Sequence, residues 1–229
     1  MWCWGNDDGC TLGHDVIVQY GLKPLQLSPE AIGVTGVVAL ARGLQFDVCA
    51  ITAAGDWCWG DDEYGELGDG QKDTELCVPM ITMTSPTIAL GGSHSCSVAG
   101  GRVVCWGAND YGQLGDGSMN ASLTPVGNAL TGVTSVCAGF VHTCAVTSSG
   151  ALFCWGLSSV GQVGDGTHET RSKPTAILDK GVATVTCGSF HTCALMSSGA
   201  ITCWGANQFG QLGDGTFDSR NSPVAVVGF

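Results

Sequence analysis

Basic residues are scarce: 8 Lys and Arg stand against 20 Asp and Glu in 229 residues, a net charge of −12. Binding nucleic acid or an anionic membrane by charge needs clustered Lys and Arg. Here they are scattered, so neither kind of partner is expected. Charged residues are only 12% of the chain, and the acidity is read as solubility for such a chain rather than as an acidic docking face. Long apolar runs are missing as well. The most apolar stretch, Ala31 to Leu44, is 14 residues long with Arg42 inside it. That is too short to span a bilayer, and its alignment with Leu130 to Gly139 makes it an expected buried strand. No charged n-region followed by an apolar h-region marks a signal peptide, and no long amphipathic helix pattern occurs. The motifs Gly-x-x-x-x-Gly-Lys-Ser/Thr, His-Glu-x-x-His and Gly-x-Ser-x-Gly are absent; Gly91-Gly92-Ser93-His94-Ser95 fails at the last position. The expectation is a non-enzymatic protein with no cofactor and no metal.

Glycine and cysteine are abundant instead, 36 and 13 residues, and they recur in register. Cys-Trp-Gly occurs at Cys3, Cys58, Cys105, Cys154 and Cys203, at steps of 55, 47, 49 and 49 residues. The aspartate of Gly-Asp-Gly follows four of the tryptophans by ten residues: Asp69, Asp116, Asp165 and Asp214. His14 stands at that place in the first copy. Pro24, Pro79, Pro125, Pro174 and Pro223 follow at 19 or 20 residues. A second cysteine lies upstream of each later copy, at Cys49, Cys96, Cys144 and Cys193. His94, His142 and His191 precede three of these by two residues, with Asp47 in the remaining place. Fixed-period self-similarity of this kind marks a repeat architecture.

The motif text is Gly-x-x-His-Thr-Cys-Ala-Leu, a turn, then Cys-Trp-Gly-Ala-Asn-x-x-Gly-Gln-Leu-Gly-Asp-Gly-Thr. It resembles the RCC1-repeat family in its cysteine-bearing form, over essentially the whole chain. The resemblance implies an all-β fold, an RCC1-like β-propeller of small antiparallel blades, usually seven in a closed ring. It implies less about function, because such propellers serve as exchange factors, inhibitors, receptors and scaffolds.

In chain order, the repeat units fall at about 1–44, 45–92, 93–140, 141–189 and 190–229, with no linker between them, so one domain over 1–229 is expected. Met1 to Gly5 reads as the second strand of a hairpin without its first, and Pro223 to Phe229 stops where another hairpin would begin. Four hairpins and a lone strand fall short of the family's ring. The expectation is an incomplete ring, or part of a larger propeller, that self-associates or is completed by another chain.

The cysteines are placed by hairpin register. Pairing Cys193 with Cys203 leaves Ser197-Ser198-Gly199 as the turn, and pairing Cys144 with Cys154 leaves Ser148-Ser149-Gly150. Cys96 with Cys105 leaves Gly100-Gly101, which suits a type I′ turn. Turn length changes while the cysteines stay opposite, about 4.5–5.5 Å apart at Cα, within reach of a disulfide. Cys49 with Cys58 fits less well, since it makes Ala53-Ala54 the turn and leaves Gly55 unused. Cross-strand disulfides are favoured, and they point to an oxidising, extracellular compartment. Buried free thiols are one alternative; a zinc site from His191, Cys193 and Cys203 is another, although no fourth ligand recurs. Cys3, Cys10, Cys77, Cys137 and Cys187 stand outside these pairs, and Cys137 and Cys187 could be core.

A histidine recurring once per repeat reads as a structural hydrogen-bonder. Trp59, Trp106, Trp155 and Trp204 alternate with the cysteines and so face the other side of the strand, as packing between blades. The Gly-Asp-Gly aspartates lack the further carboxylates of a calcium loop and read as caps of their own turns. Asn120-Ala121-Ser122 is a glycosylation sequon on a loop. Function in such a fold lies in the loops, and Met119, His168 and Phe217 are large side chains in otherwise polar ones, so they are the candidate contacts with a protein partner. The expected function is a protein-interaction or scaffold module, with a guanine-nucleotide exchange factor for a small GTPase and a secreted enzyme inhibitor as alternatives. The units are too uniform to hold a long inserted hairpin that could wedge into a GTPase.

Overall fold

A computed structural model describes residues 2–5, 26–31, 33–45, 47–83 and 87–228, with side chains for 33–45, 47–72 and 87–228. Cys10, and the side chains of Cys3 and Cys77, lie outside the described residues. Among those described there is no helix, and none long and apolar enough to cross a membrane. Strands β1 (Trp2–Gly5) and β2 (Gln26–Ala31) pair antiparallel.

Four four-stranded antiparallel sheets follow. Blade 1 is β3 (Val37–Arg42), β4 (Val48–Thr52), β5 (Gly55–Asp62) and β6 (Asp73–Met83). Blade 2 is β7 (Ile88–Leu90), β8 (His94–Ala99), β9 (Arg102–Gly107) and β10 (Ser122–Gly127). Blade 3 is β11 (Val133–Ala138), β12 (His142–Thr147), β13 (Leu152–Gly156) and β14 (Arg171–Leu178). Blade 4 is β15 (Val182–Cys187), β16 (His191–Met196), β17 (Ile201–Gly205) and β18 (Arg220–Ala225). The innermost strands touch in succession, β3 against β7, β7 against β11 and β11 against β15. The arc they make is not closed into a ring among the described residues. Each sheet takes its innermost strand from the end of one sequence repeat and its other three from the next, so every repeat boundary is crossed by pairing.

Strand alternation builds the core. Because side chains point to opposite faces at successive residues, each hairpin carries its cysteines on one face and its tryptophan on the other. Three of the four clusters of buried residues among the described residues lie between two blades, and the fourth, Val34, Ala50 and Trp59, lies on blade 1. Cys49, Cys58 and Leu67 meet Ile88, Leu90 and Trp106. Cys96, Val98 and Cys105 meet Val133, Val136 and Trp155. Cys144, Val146 and Cys154 meet Val182, Ala194 and Trp204. In blades 2, 3 and 4 the core is shared with the preceding blade, as expected of stacked repeats.

The expectation of a buried strand at Ala31 to Leu44 is corrected. Only Val37–Arg42 of this run with described side chains is strand, and Val38 and Leu40 are 74% and 59% exposed. Leu40 lies on the face that packs against the preceding blade in blades 2, 3 and 4, where Ile88, Val136 and Val185 at the same register position are 8%, 6% and 6% exposed.

Candidate functional site

The cross-strand cysteine pairs are bonded: Cys49–Cys58, Cys96–Cys105, Cys144–Cys154 and Cys193–Cys203, with Cα separations of 4.1–4.2 Å. The hairpin at Cys49 accommodates its bond by a true two-residue turn. Thr52 pairs with Gly55, Thr52 Oγ1 donates to Gly55 O at 2.7 Å and accepts from Ala54 N at 3.1 Å. Gly55 is thus a strand residue, at φ +148°. Gly100 and Gly101 both take positive φ, 57° and 75°, as a type I′ turn requires. With Cys193 bonded to Cys203, the zinc alternative loses both its thiolates. Cys137 and Cys187 are not simply core: they are bonded to each other across blades 3 and 4.

Each seam between blades is closed by the same joint. Trp106, Trp155 and Trp204 are buried, and their Nε1–H groups donate to Glu66 O, Gln113 O and Gln162 O of the preceding blade at 2.6, 2.8 and 3.0 Å. The same carbonyls accept from Ser95 Oγ, Thr143 Oγ1 and Thr192 Oγ1 at 2.7, 2.8 and 3.0 Å. Since those threonine hydroxyls spend their proton on the carbonyl, they accept from histidine: His94 Nε2 lies 2.9 Å from Thr143 Oγ1, and His142 Nε2 lies 2.9 Å from Thr192 Oγ1. The donating nitrogen is therefore Nε2. Nδ1, the bare nitrogen, is buried without a hydrogen-bond partner in both residues. Burial holds His94 down at about 4 and, with His94 and His191 adding repulsion, His142 at about 3. Burial raises Asp47, which takes the histidine's place in blade 1, to about 8, and Glu66 to about 7. Among the described residues these groups line none of the cavities, and each sits in a joint between blades.

The long loops after β5, β9, β13 and β17 share one rim with the short loops that enter β4, β8, β12 and β16, since Ala108, Leu157 and Ala206 donate backbone N–H to Ser93, Val141 and Phe190. The aspartates cap their own turns: Asp69, Asp116, Asp165 and Asp214 each accept the backbone N–H two residues on, at 2.8–3.0 Å. In blades 3 and 4 an arginine from the last strand returns to brace the loop. Arg171 binds Asp165 at 2.7 Å and Arg220 binds Asp214 at 2.8 Å. Burial pushes Asp165 up, but hydrogen bonds from Thr167 and Arg171 outweigh it; bonds from Thr216 and Arg220 hold Asp214 low.

Met119 (48% exposed), His168 and Phe217 (74%) all project from these loops. They share the rim with residues the sequence reading missed: Tyr64, Tyr111 and Phe209 on the long loops, and Phe190 on a short one, 5.6 Å from Phe140 between ring centroids. Every exposed aromatic among the described residues lies on this rim. The signal was present, since Tyr64, Tyr111, Val160 and Phe209 hold one repeat position, just before a loop glycine. Exposed Glu63, Asp110, Asp116, Glu169 and Asp218 surround them, while Arg171 and Arg220 are already paired.

Comparison with known proteins agrees with this geometry. No curated protein matches the chain. Human WBSCR16 is similar in structure, with a TM-score of 0.86 at 23% identity, over 99% of this chain and 62% of that one. Prp20p from Saccharomyces cerevisiae, a protein studied for its binding to Gsp1p and histones, gives 0.78 at 21% identity, over 89% and 54%. The same yeast protein bound to Kap60 gives 0.65 at 22%, over 99% and 70%. The chain thus spans 62% and 54% of the first two. Models of the regulator of chromosome condensation (RCC1) repeat match residues 100–146, 149–195 and 198–229, and in a second form 133–162 and 182–211. With more than half its length so matched, and with four blades joined by one repeated seam, the chain belongs to the RCC1-repeat family.

Proposed function

We propose that this chain is a disulfide-stapled protein-interaction module of an extracellular or other oxidising compartment, and that its contact surface is the aromatic, acidic loop rim. The observation that carries this reading is the segregation of the exposed aromatics to that rim. Large exposed apolar side chains gathered on one surface and ringed by polar groups favour protein contact. The surplus of exposed carboxylates favours a basic partner surface, so the acidity is more than a solubility device here. A prey pool from extracellular fluid, captured with the native chain and with a Phe209→Ala/Phe217→Ala variant of equal melting temperature, tests it. The expected result is a partner held by the native chain, lost on the variant and weakened by salt. Equal capture by both, or capture from cytosol alone, would refute the assignment.

Exchange-factor activity on a small GTPase is the weaker reading. Among the described residues no blade carries a strand beyond its four that could form a wedge. The likeness to Prp20p, at 21% identity, extends to the fold.

A second contact is favoured by one comparison within the chain. Ile51, Val98 and Val146 occupy one repeat position and are 8%, 6% and 1% exposed, whereas Leu195 at that position in blade 4 is 39% exposed. Cys193 and His191 on the same face are half-buried, where Cys144 and His142 are fully covered. This face has the chemistry to receive another RCC1-type blade, in a second copy of the chain. Sedimentation equilibrium should show concentration-dependent dimers that Leu195→Glu abolishes; a monomer at every concentration would refute it.

A further inference from the structure

Cys137 departs from the repeat. The residue opposite the first cysteine of each hairpin is Ala41 in blade 1, Ala89 in blade 2 and Thr186 in blade 4, but Cys137 in blade 3. Cys137 is register partner to Cys144, and Cys144 is register partner to Cys154. Three cysteines therefore stand side by side across β11, β12 and β13, on the face toward blade 4. Cys187 reaches this row from β15. The sulfurs of Cys137, Cys144 and Cys187 all lie within 4.8 Å of one another. Two bonds share the cluster, Cys137–Cys187 and Cys144–Cys154. They differ in access. Cys144 and Cys154 are fully buried. Cys137 and Cys187 are partly exposed and line a cavity of about 350 Å³ between the inner strands, together with Ala89 and Arg42.

We propose that these four cysteines form a thiol–disulfide exchange site, which a small-molecule thiol enters through the central cavity. Displacement at sulfur proceeds in line, with attacking, central and leaving sulfurs in a row. The order Cys137, Cys144, Cys154 across neighbouring strands supplies that row. A thiolate RS⁻ from the cavity attacks Cys187 Sγ. The Cys137–Cys187 bond breaks, RS–S–Cys187 forms, and Cys137 leaves as thiolate. Cys137 then attacks Cys144 Sγ, forming Cys137–Cys144 and expelling Cys154 as thiolate, which takes up a proton. A second thiol resolves the mixed disulfide to RSSR and Cys187 thiol. Two protein disulfides and two RSH become one protein disulfide, two protein thiols and RSSR, so sulfur bonds and protons balance. The outcome matters for the fold, because the bond between blades 3 and 4 is replaced by one within blade 3. Nothing comparable can occur at Cys49–Cys58 or Cys96–Cys105, where alanine stands opposite.

Reduced glutathione is the probe. The native chain is treated with a limiting amount, quenched in acid, alkylated with N-ethylmaleimide and mapped as non-reduced peptides. The first new species should contain Cys137–Cys144, alkylated Cys154, and Cys187 either alkylated or glutathionylated, with Cys49–Cys58 and Cys96–Cys105 intact. Alkylation of Cys137 and Cys187 together over an intact Cys144–Cys154 would mean simple reduction and would overturn the proposal, as would prior opening of any other hairpin. Cys187→Ala gives a second test without added thiol, and Ala138 at the equivalent position of blade 3 shows that alanine fits. Its liberated Cys137 should bond Cys144 and leave Cys154 alkylable. A Cys187→Ala protein holding only Cys144–Cys154, with Cys137 free, would also overturn it.

Discussion

His142 Nε2 and Thr192 Oγ1 meet at 2.9 Å across the seam between blades 3 and 4, fifty residues apart in sequence. The threonine hydroxyl faces two ways, accepting from the imidazole and donating to Gln162 O at 3.0 Å. One small side chain thus fastens a strand and a loop of one blade to a strand of the next.

Replacing Thr192 with valine keeps the shape and removes the hydroxyl. A buried imidazole N–H loses its acceptor and a carbonyl loses one of its donors. Such groups are each worth about 1–3 kcal/mol, so Thr192→Val should destabilise by roughly 2–4 kcal/mol. Thr192→Ser should recover most of this, since Ser95 holds the same place in blade 2. Denaturant midpoints of the three proteins decide it. A valine variant as stable as the native chain would show that the joint contributes nothing.

The dependence of stability on pH should be weak in the native chain between about 4.5 and 6.5, because groups of opposite sign partly cancel, with His191, also lowered by burial, adding to the rising side. His94 and His142 titrate near 4 and 3 when folded and near 6.5 when unfolded. Across that window the unfolded chain binds two more protons at these sites, and stability rises with pH. Asp47 and Glu66 titrate near 8 and 7 when folded, against 3.8 and 4.5 when unfolded, so they bind two more protons folded and stability falls with pH. Asp47→Asn/Glu66→Gln removes the second pair. Its unfolding free energy should climb from pH 4.5 to 6.5 with a slope approaching two protons. A flat profile in the double variant would show that the histidines are not held neutral.

Two left-handed glycines should respond very differently to alanine. At Gly199, φ is +90° and a Cβ would meet nothing within 4 Å. Gly199→Ala should cost about 1–2 kcal/mol, from backbone strain alone. At Gly115, φ is +74° and a Cβ would stand 2.6 Å from Trp155 Nε1. Gly115→Ala adds overpacking against a buried ring to the same strain, roughly 2–5 kcal/mol in all. Equal melting shifts in the two variants would show that the seam is loosely packed.

Much of this was legible because it repeats. Cysteines, tryptophan and turn glycine set hairpin register, and the alternation of Cys105 and Trp106 already assigns one face to disulfide and one to seam. What was not legible depends on neighbours far apart in sequence. That Leu40 is exposed while Ile88, Val136 and Val185 at its position are buried depends on what packs against each blade, which apolar content cannot reveal. Cys137 and Cys187 occupy adjacent rather than identical repeat positions, and only the offset between neighbouring blades brings them together. The rim aromatics were passed over for a different reason. Met119, His168 and Phe217 stand out because their loops differ between units, whereas Tyr64, Tyr111 and Phe209 recur at one loop position and do not stand out by difference, although together they make a shared surface.

The Cys137–Cys187 bond also decides how the molecule bears tension. A pull applied to the two ends of the chain reaches Cys137, crosses the sulfurs and leaves from Cys187, so the fifty residue steps between them carry no load. At about 3.4 Å per residue, roughly 170 Å of chain is withheld from extension. Strands β12, β13 and β14 lie wholly inside that sheltered length. While the bond holds, they can part from their neighbours without lengthening the protein.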